Sequence, residues 1–330
     1  MPSPTLMDVH VNAALTDISV AYIQDNEHFI ADKVFRMVPV VHKSDVYYKF
    51  SKDDFLRDDV QQRADATESA GGGFNLTTGT YSAKVWGYHK DVGDQVRANQ
   101  DPAIDIDVTT TKWIMQKQMI RRDNIFVSSF MKTGVWGTDC VGTPGGVPGS
   151  TTPSLWSDDA NGDPFTDIAQ GQTTMLQNTG MEPNVLVLGF KVFQALRKHP
   201  LVIDRVKYTM QADAKNITKE LLAGAFDVDE VVVSKSVYNT AAEGLTGNYN
   251  FTLGNNALLC HRAPSPGLMI PSAGYIFPWE GLTGLNSMGV VIYQERMPGL
   301  GRQTIRTDSD MAFDMQVVSN DLGYYFSNIA

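Results

Sequence analysis

The chain has only two cysteines in 330 residues, Cys140 and Cys260, too few and too far apart for a disulfide scaffold, so both are read as free thiols in a reducing compartment. It also lacks a cationic excess: 27 Lys and Arg stand against 37 Asp and Glu, a formal net charge of -10. Neutralising phosphates needs clustered Lys and Arg, which disfavours a protein that grips nucleic acid, whereas a wall that encloses DNA without binding it specifically is compatible. No stretch approaches the roughly 18 apolar residues of a membrane span. The opening residues, MPSPTLMDVHV, lack a basic run followed by an apolar one, so no secretory signal is read and a chain kept inside a cell is expected. The sequons at Asn75, Asn216 and Asn250 are then chance matches.

Parts for chemistry are missing as well. The glycine-rich stretch Gly142 to Gly149 has no Lys-Ser/Thr ending and opens no helix, so it cannot cradle phosphates as a P-loop does. Asp159, Asn161 and Asp163 occupy alternate positions of a calcium loop, but Pro164 stands where glycine is needed and Gln170 where the closing glutamate should be. The six histidines are scattered with no pair at i, i+4, and Cys260 and His261 would point to opposite faces of a strand. No nucleotide, metal or other cofactor is expected. Asp53, Asp54, Asp58 and Asp59 do cluster, in a segment from Lys52 to Glu68 with six acids against three bases. That is the balance of a solvated or electrostatically docking loop, without the rigid surroundings of an acid/base pair.

What is present is an ordinary globular composition, 42% hydrophobic and 19% charged, long enough for one large domain or two to three fused lobes. An amphipathic helix is expected from about Thr16 to Phe35, either the first helix of a core or an arm that docks on neighbours. Residues 45–51 alternate, with Val46, Tyr48 and Phe50 on one face and Asp45, Tyr47, Lys49 and Ser51 on the other. A second alternating run, Thr80 to Lys90, carries Trp86 and Tyr88 and is expected to pair with the first as a long ribbon. The intervening excursion, Asp53 to Gly79, is too long for a hairpin turn, so it is either floppy or held by another subunit. A helix of about 25 residues follows Pro102, with Trp113, Ile120 and Val127 recurring every seven residues; at about 1.5 Å per residue it is a spine.

From Gly134 to Asn161 the chain reads as a surface excursion rich in Gly, Pro, Ser and Thr. A short helix should start at Pro164. Alternating α/β signals come next: strand Val185 to Leu188, helix Phe190 to Lys198, helix Thr218 to Phe226 and strand Glu230 to Ser234. Further strands are expected at Ala257 to His261, at Gly289 to Gln294 and, closing the chain, around Met311 to Val318. No fixed-period repeat is present, which disfavours solenoids and propellers.

This order of parts resembles the major capsid proteins of tailed bacteriophages with the Hong Kong 97-type fold. The segments EPNVLVLGFKVFQALRKHPLVIDRVKY (182–208) and FIADKVFRMVPVVHKSDVYYKF (29–50) resemble the branch typified by the lambda coat protein. The resemblance implies an α+β fold with an N-terminal arm (1–40), an extended two-stranded E-loop (41–92), a P-domain with a long spine helix (93–184), an α/β A-domain (185–295) and closing strands returning to the P-domain (296–330). It implies a coat protein without catalytic activity, forming hexamers and pentamers of an icosahedral head around double-stranded DNA, assembled in the bacterial cytoplasm. Partners would be other copies of itself, a portal protein and, over the finished lattice, a decoration protein; no membrane is involved. Because the arm starts at once, with no coiled-coil-rich segment before it, either a separate scaffolding protein is expected or the sequence is that of an already processed chain. Inter-subunit contacts are expected from Val46, Tyr48, Phe50, Asp53, Asp54, Asp58, Asp59, Trp86 and Tyr88, with Arg121, Arg122, Arg296, Arg302 and Arg306 as basic partners. An encapsulin-like shell subunit shares the fold and is the alternative; a cytosolic α/β enzyme is a third reading from a different class.

Overall fold

The computed structural model describes residues 23–99, 105–207, 217–267, 269–282, 289–301 and 304–330. From Ile23 the chain makes a single 3-10 turn at Asn26–His28, extends at Phe29 (φ -85°, ψ 143°) and forms a four-residue helix, α1 (Ala31–Val34). The helix expected from Thr16 to Phe35 is therefore broken over its described part, and residues 16–22 lie outside the described residues. Phe29, Ile30, Ala31, Val34 and Phe35 are all buried. Tertiary burial overrides the helical period here, and the end of the expected arm is core.

After β1 (Arg36–Met37) come β2 (Ser44–Phe50), the short helix α2 (Lys52–Phe55), β3 (Leu76–Ser82) and β4 (Lys84–Val92). β2 and β3 form an isolated antiparallel ribbon with Ser44 opposite Ser82 and Phe50 opposite Leu76. This corrects the expected pairing. Residues 76–82 are the partner of β2, and from Lys84 the chain departs for a different sheet. Buried Ala83 is the junction, its N–H donating to the Lys43 carbonyl at 2.8 Å.

Beyond α3 (Asp94–Ala98), the spine α4 spans Ile106–Phe130, 25 residues and so about 37 Å. Asp105 caps it, accepting from the Asp107 and Val108 amides at 2.9 and 3.2 Å, which satisfies two donors a helix leaves unpaired. Its buried line is Thr110, Ile114, Gln118, Arg122, Phe126 and Phe130, every fourth residue. Trp113, Ile120 and Val127, the expected seam, are only half-buried. Half of the buried line is polar, and a hydrophobic period cannot reveal it.

The glycine-rich stretch then contributes β5 (Thr138–Val141) and buries Trp136, Cys140 and Trp156; it is not the surface excursion expected. Asp163 caps α5 (Pro164–Thr179), which ends on Gly180 in the left-handed region (φ 70°), a conformation glycine adopts without strain. β6 (Val185–Gly189), α6 (Phe190–Lys198), α7 (Pro200–Lys207), α8 (Lys219–Phe226) and β7 (Glu230–Ser234) follow. A small hairpin, β8 (Val237–Asn239) with β9 (Tyr249–Phe251), leads to β10 (Ala257–Cys260). The last strands are β11 (Gly274–Pro278), β12 (Val290–Arg296), the 13-residue β13 (Ile305–Val317) and β14 (Gly323–Ser327).

These strands make two mixed five-stranded sheets. One has the order β5-β14-β10-β6-β7; the other is organised on β13, which takes β4 along one edge and β12 followed by β11 along the other, with β1 parallel to β11. The chain is thus α+β. One apolar core runs from Ile30, Phe35 and Phe126 through Trp136 to Tyr325 and β6. Both free thiols lie in it, and burial pushes Cys260 up to about 12.

Candidate functional site

The β2–β3 ribbon is built with one face for the body and one for something else. Tyr47 and Tyr81 point inward and stack on Phe277, with ring centroids 5.7 and 4.8 Å away, and burial raises both phenols. Opposite Tyr47 stands Gly79, where a Cβ would collide with the tyrosine ring. Sequence reasoning placed Tyr47 on one face with Asp45, Lys49 and Ser51 and missed this anchor; the facing glycine was the signal that could have found it.

The outward face carries Val46 (49% exposed), Tyr48 (58%) and Leu76 (47%). At the far end Phe50, Phe55 and Phe74 form a triangle with centroids 5.7–5.9 Å apart, yet Phe55 and Phe74 remain 51% and 61% exposed. Apolar surface of this extent on a narrow ribbon costs free energy in water, which makes this face a candidate for covering by another surface. Asp53, Asp58 and Asp59, in the same excursion, are exposed. Asp54 differs: it accepts from the Asn75 amide N–H at 2.8 Å and from Nδ2 at 3.0 Å, and these bonds, the backbone one foremost, hold its carboxyl below its ordinary value. It pins the two legs of the excursion together. Lys52 pairs with Asp321 on the body.

Trp86 and Tyr88 do not belong to the ribbon. They lie on β4 and face α4: the Arg121 guanidinium sits 4.4 Å from the Trp86 ring centre, and Tyr88 lies 5.3 Å from Trp113. The basic residues named as partners are mostly occupied within the chain. Arg122 is buried and pairs with Asp32 at 3.3 Å, and burial lowers its pKa despite Asp32 and Asp123. Arg306 grips Asp91 with two bonds of 2.7 and 2.9 Å. Arg296 is exposed at the end of β12, and Arg302 lies outside the described residues. Of the named set, Val46, Tyr48 and Phe50 share one face of the ribbon.

Among the described residues, no group of three or more His, Cys, Asp or Glu gathers to hold a metal ion, and no helix is long and apolar enough to cross a membrane. An open cleft of about 520 Å³ lies beside Leu176, Glu182, Asn184, Asp227, Asp229 and His261. The His261 ring nitrogen Nδ1 is 2.7 Å from the Glu182 carbonyl oxygen, a structural bond that ties two segments of the lobe.

A family profile described as phage major capsid protein E matches residues 146–248. The major capsid protein of Burkholderia phage BcepMu is 21% identical over 232 residues, covering 69% of this chain and 70% of that protein. Among solved structures, a phage-related protein from Bordetella bronchiseptica superposes with a TM-score of 0.66 at 20% identity, over 93% of this chain and 94% of that one. The encapsulin of Synechococcus elongatus superposes with a TM-score of 0.55 at 12% identity, over 96% and 94%. The chain therefore has the capsid-type fold shared by tailed phages and encapsulins.

Proposed function

We propose that the chain is the major coat protein of a tailed bacteriophage, of the lambda coat protein-like branch, and that hexamers and pentamers of it form an icosahedral head around double-stranded DNA. On this reading residues 1–40 are the arm, 41–92 the E-loop region, 93–184 the P-domain, 185–295 the A-domain and 296–330 the closing strands. A scaffolding protein, a portal and, over the finished lattice, a decoration protein would be its partners during assembly in the bacterial cytoplasm and in the virion. The chain itself performs no catalysis in this role. The relatives named as phage capsid proteins support the structural role.

The observation that carries the reading is the ribbon. A two-stranded sheet is marginal alone in water, and this one leaves Val46, Tyr48, Leu76 and two phenylalanines without cover. A neighbouring copy in a closed lattice supplies that cover. Cohesion is non-covalent: residues 53–79 contain no lysine, and of the lysines that flank Phe50, Lys49 lies over the Tyr47 ring at 5.4 Å while Lys52 is paired with Asp321. Arg57 and Arg63 keep their charge and cannot act as amine nucleophiles.

Sedimentation of the protein co-expressed with its scaffold tests the proposal. Particles far heavier than the 36.3 kDa subunit are expected, and a monomer under all conditions contradicts it. The encapsulin likeness gives the second reading its footing. Shell contents separate the two, since a coat protein's mature particles carry nucleic-acid absorbance and a nanocompartment carries a cargo enzyme.

A further inference from the structure

Asp123 lies in the C-terminal half of the spine α4 and is 1% exposed. Both its carboxylate oxygens are engaged, and by two different parts of the fold. Oδ1 accepts from the Ile30 and Ala31 amides at 2.9 and 3.1 Å; Oδ2 accepts from Ser236 Oγ at 2.6 Å. Ser236 is itself buried, in the short link between β7 and the β8–β9 hairpin. The same link is gripped on both sides of Ser236. The Gln24 side-chain amide donates to the Val237 carbonyl at 2.6 Å and accepts from the Val237 amide at 2.9 Å, and the Lys235 amide donates to the His28 carbonyl at 3.3 Å.

Three successive residues that launch the hairpin are therefore bound by the N-terminal segment 24–31, twice directly and once through the spine. A buried carboxylate is tolerable only while its donors stay in place, because an unpaired charge or an orphaned amide costs far more inside than in water. Such a set tends to hold or fail together. The hairpin's strands are three residues each, too short to be stable alone, so the hairpin depends on contacts with the body such as these and the Phe190–Phe251 ring contact at 5.3 Å.

We propose that Asp123 is a coupling node: it ties the N-terminal segment to the β8–β9 hairpin across the spine helix, so that anything displacing residues 24–31 loosens residues 237–251, and the reverse. The inference rests on the bonds just described and is independent of whether the chain builds a shell.

Hydrogen exchange on the full chain tests it. Coupling is reciprocal, so Ser236→Ala, which touches neither Ile30 nor Ala31, should speed exchange of those two amides by about tenfold. Asp123→Ala should speed both segments by at least as much. Asp123→Asn keeps every bond, since its oxygen still accepts from the two amides and its Nδ2 donates to Ser236 Oγ, and should leave both segments within about twofold of the parent. Wild-type exchange at Ile30 and Ala31 in Ser236→Ala overturns the proposal. So does equal loosening by Asp123→Asn and Asp123→Ala, which would make charge, rather than the bonded set, the cause. Should Asp123→Ala fail to fold, Ser236→Ala and Asp123→Asn still decide the question.

Discussion

Phe35 shows at the level of one side chain that the N-terminal segment is part of the core. Its ring meets those of Phe126 and Phe130 at 5.1 Å each and Trp136 at 6.3 Å, and Gly274 across from it leaves no room even for a Cβ. Phe35→Ala should cost about 3–5 kcal/mol, read as a fall in the urea midpoint at unchanged slope. A loss below about 1 kcal/mol would mean that the cluster does not depend on it. Asp91 offers a second residue-scale test, because the Arg306 hydrogen bond holds its carboxyl below the ordinary carboxylate value. A folded-state pKa below the unfolded one stabilises above the unfolded value, about 4, and that stabilisation disappears as the pH falls through the folded value. Asp91→Asn should therefore lower the melting temperature at pH 7, and the gap to the parent should narrow below about pH 4. A gap independent of pH would show that the pairing contributes no linkage.

At the scale of elements, the ribbon is expected to matter for association and little for folding. Changing Val46 and Tyr48 together to Asp should leave subunit stability within about 1 kcal/mol, since both are solvent-exposed, while abolishing assembly measured by light scattering. Assembly at the parental rate would remove the ribbon's outward face from the interface. The N-terminal segment divides differently from the expectation for an arm. Removing Pro2–Tyr22 should leave a folded subunit. Extending the deletion to Ile30 also strips two buried side chains worth about 1.5–3 kcal/mol each, together with a donor to Asp123, and should lower the denaturation midpoint sharply. Much of this was legible in the sequence: β6, α6 and β7 follow from clean period changes in an apolar stretch, and Asp163-Pro164 announces α5. The ribbon's second strand was not, because alternation continues from Leu76 to Val92 while the pairing switches sheets at Ala83, and local pattern carries no register between distant strands. β11 (GYIFP) and β14 (GYYFS) were missed because, as buried as β6 or nearly so, they show no alternation and also lack the unbroken Val/Leu run that marks β6. The basic partners misled for a related reason: a buried Arg122 and an exposed Arg296 look alike until the helix is packed.

For the whole molecule, the fold, the negative net charge of -10 and the uncovered ribbon agree with a subunit whose final stability comes from other copies of itself. Because residues 53–79 lack lysine, boiling purified shells in SDS without reductant should release one band at the 36.3 kDa of the monomer; a ladder whose peptides join Lys49 or Lys52 to an asparagine would contradict non-covalent cohesion. The most direct test of the central claim is an electron micrograph of the purified protein under assembly conditions, alone and with the scaffolding protein proposed above. Closed isometric shells of uniform diameter are the predicted result, and a field of dispersed monomers or shapeless aggregate, from protein shown to be folded in solution, would contradict it.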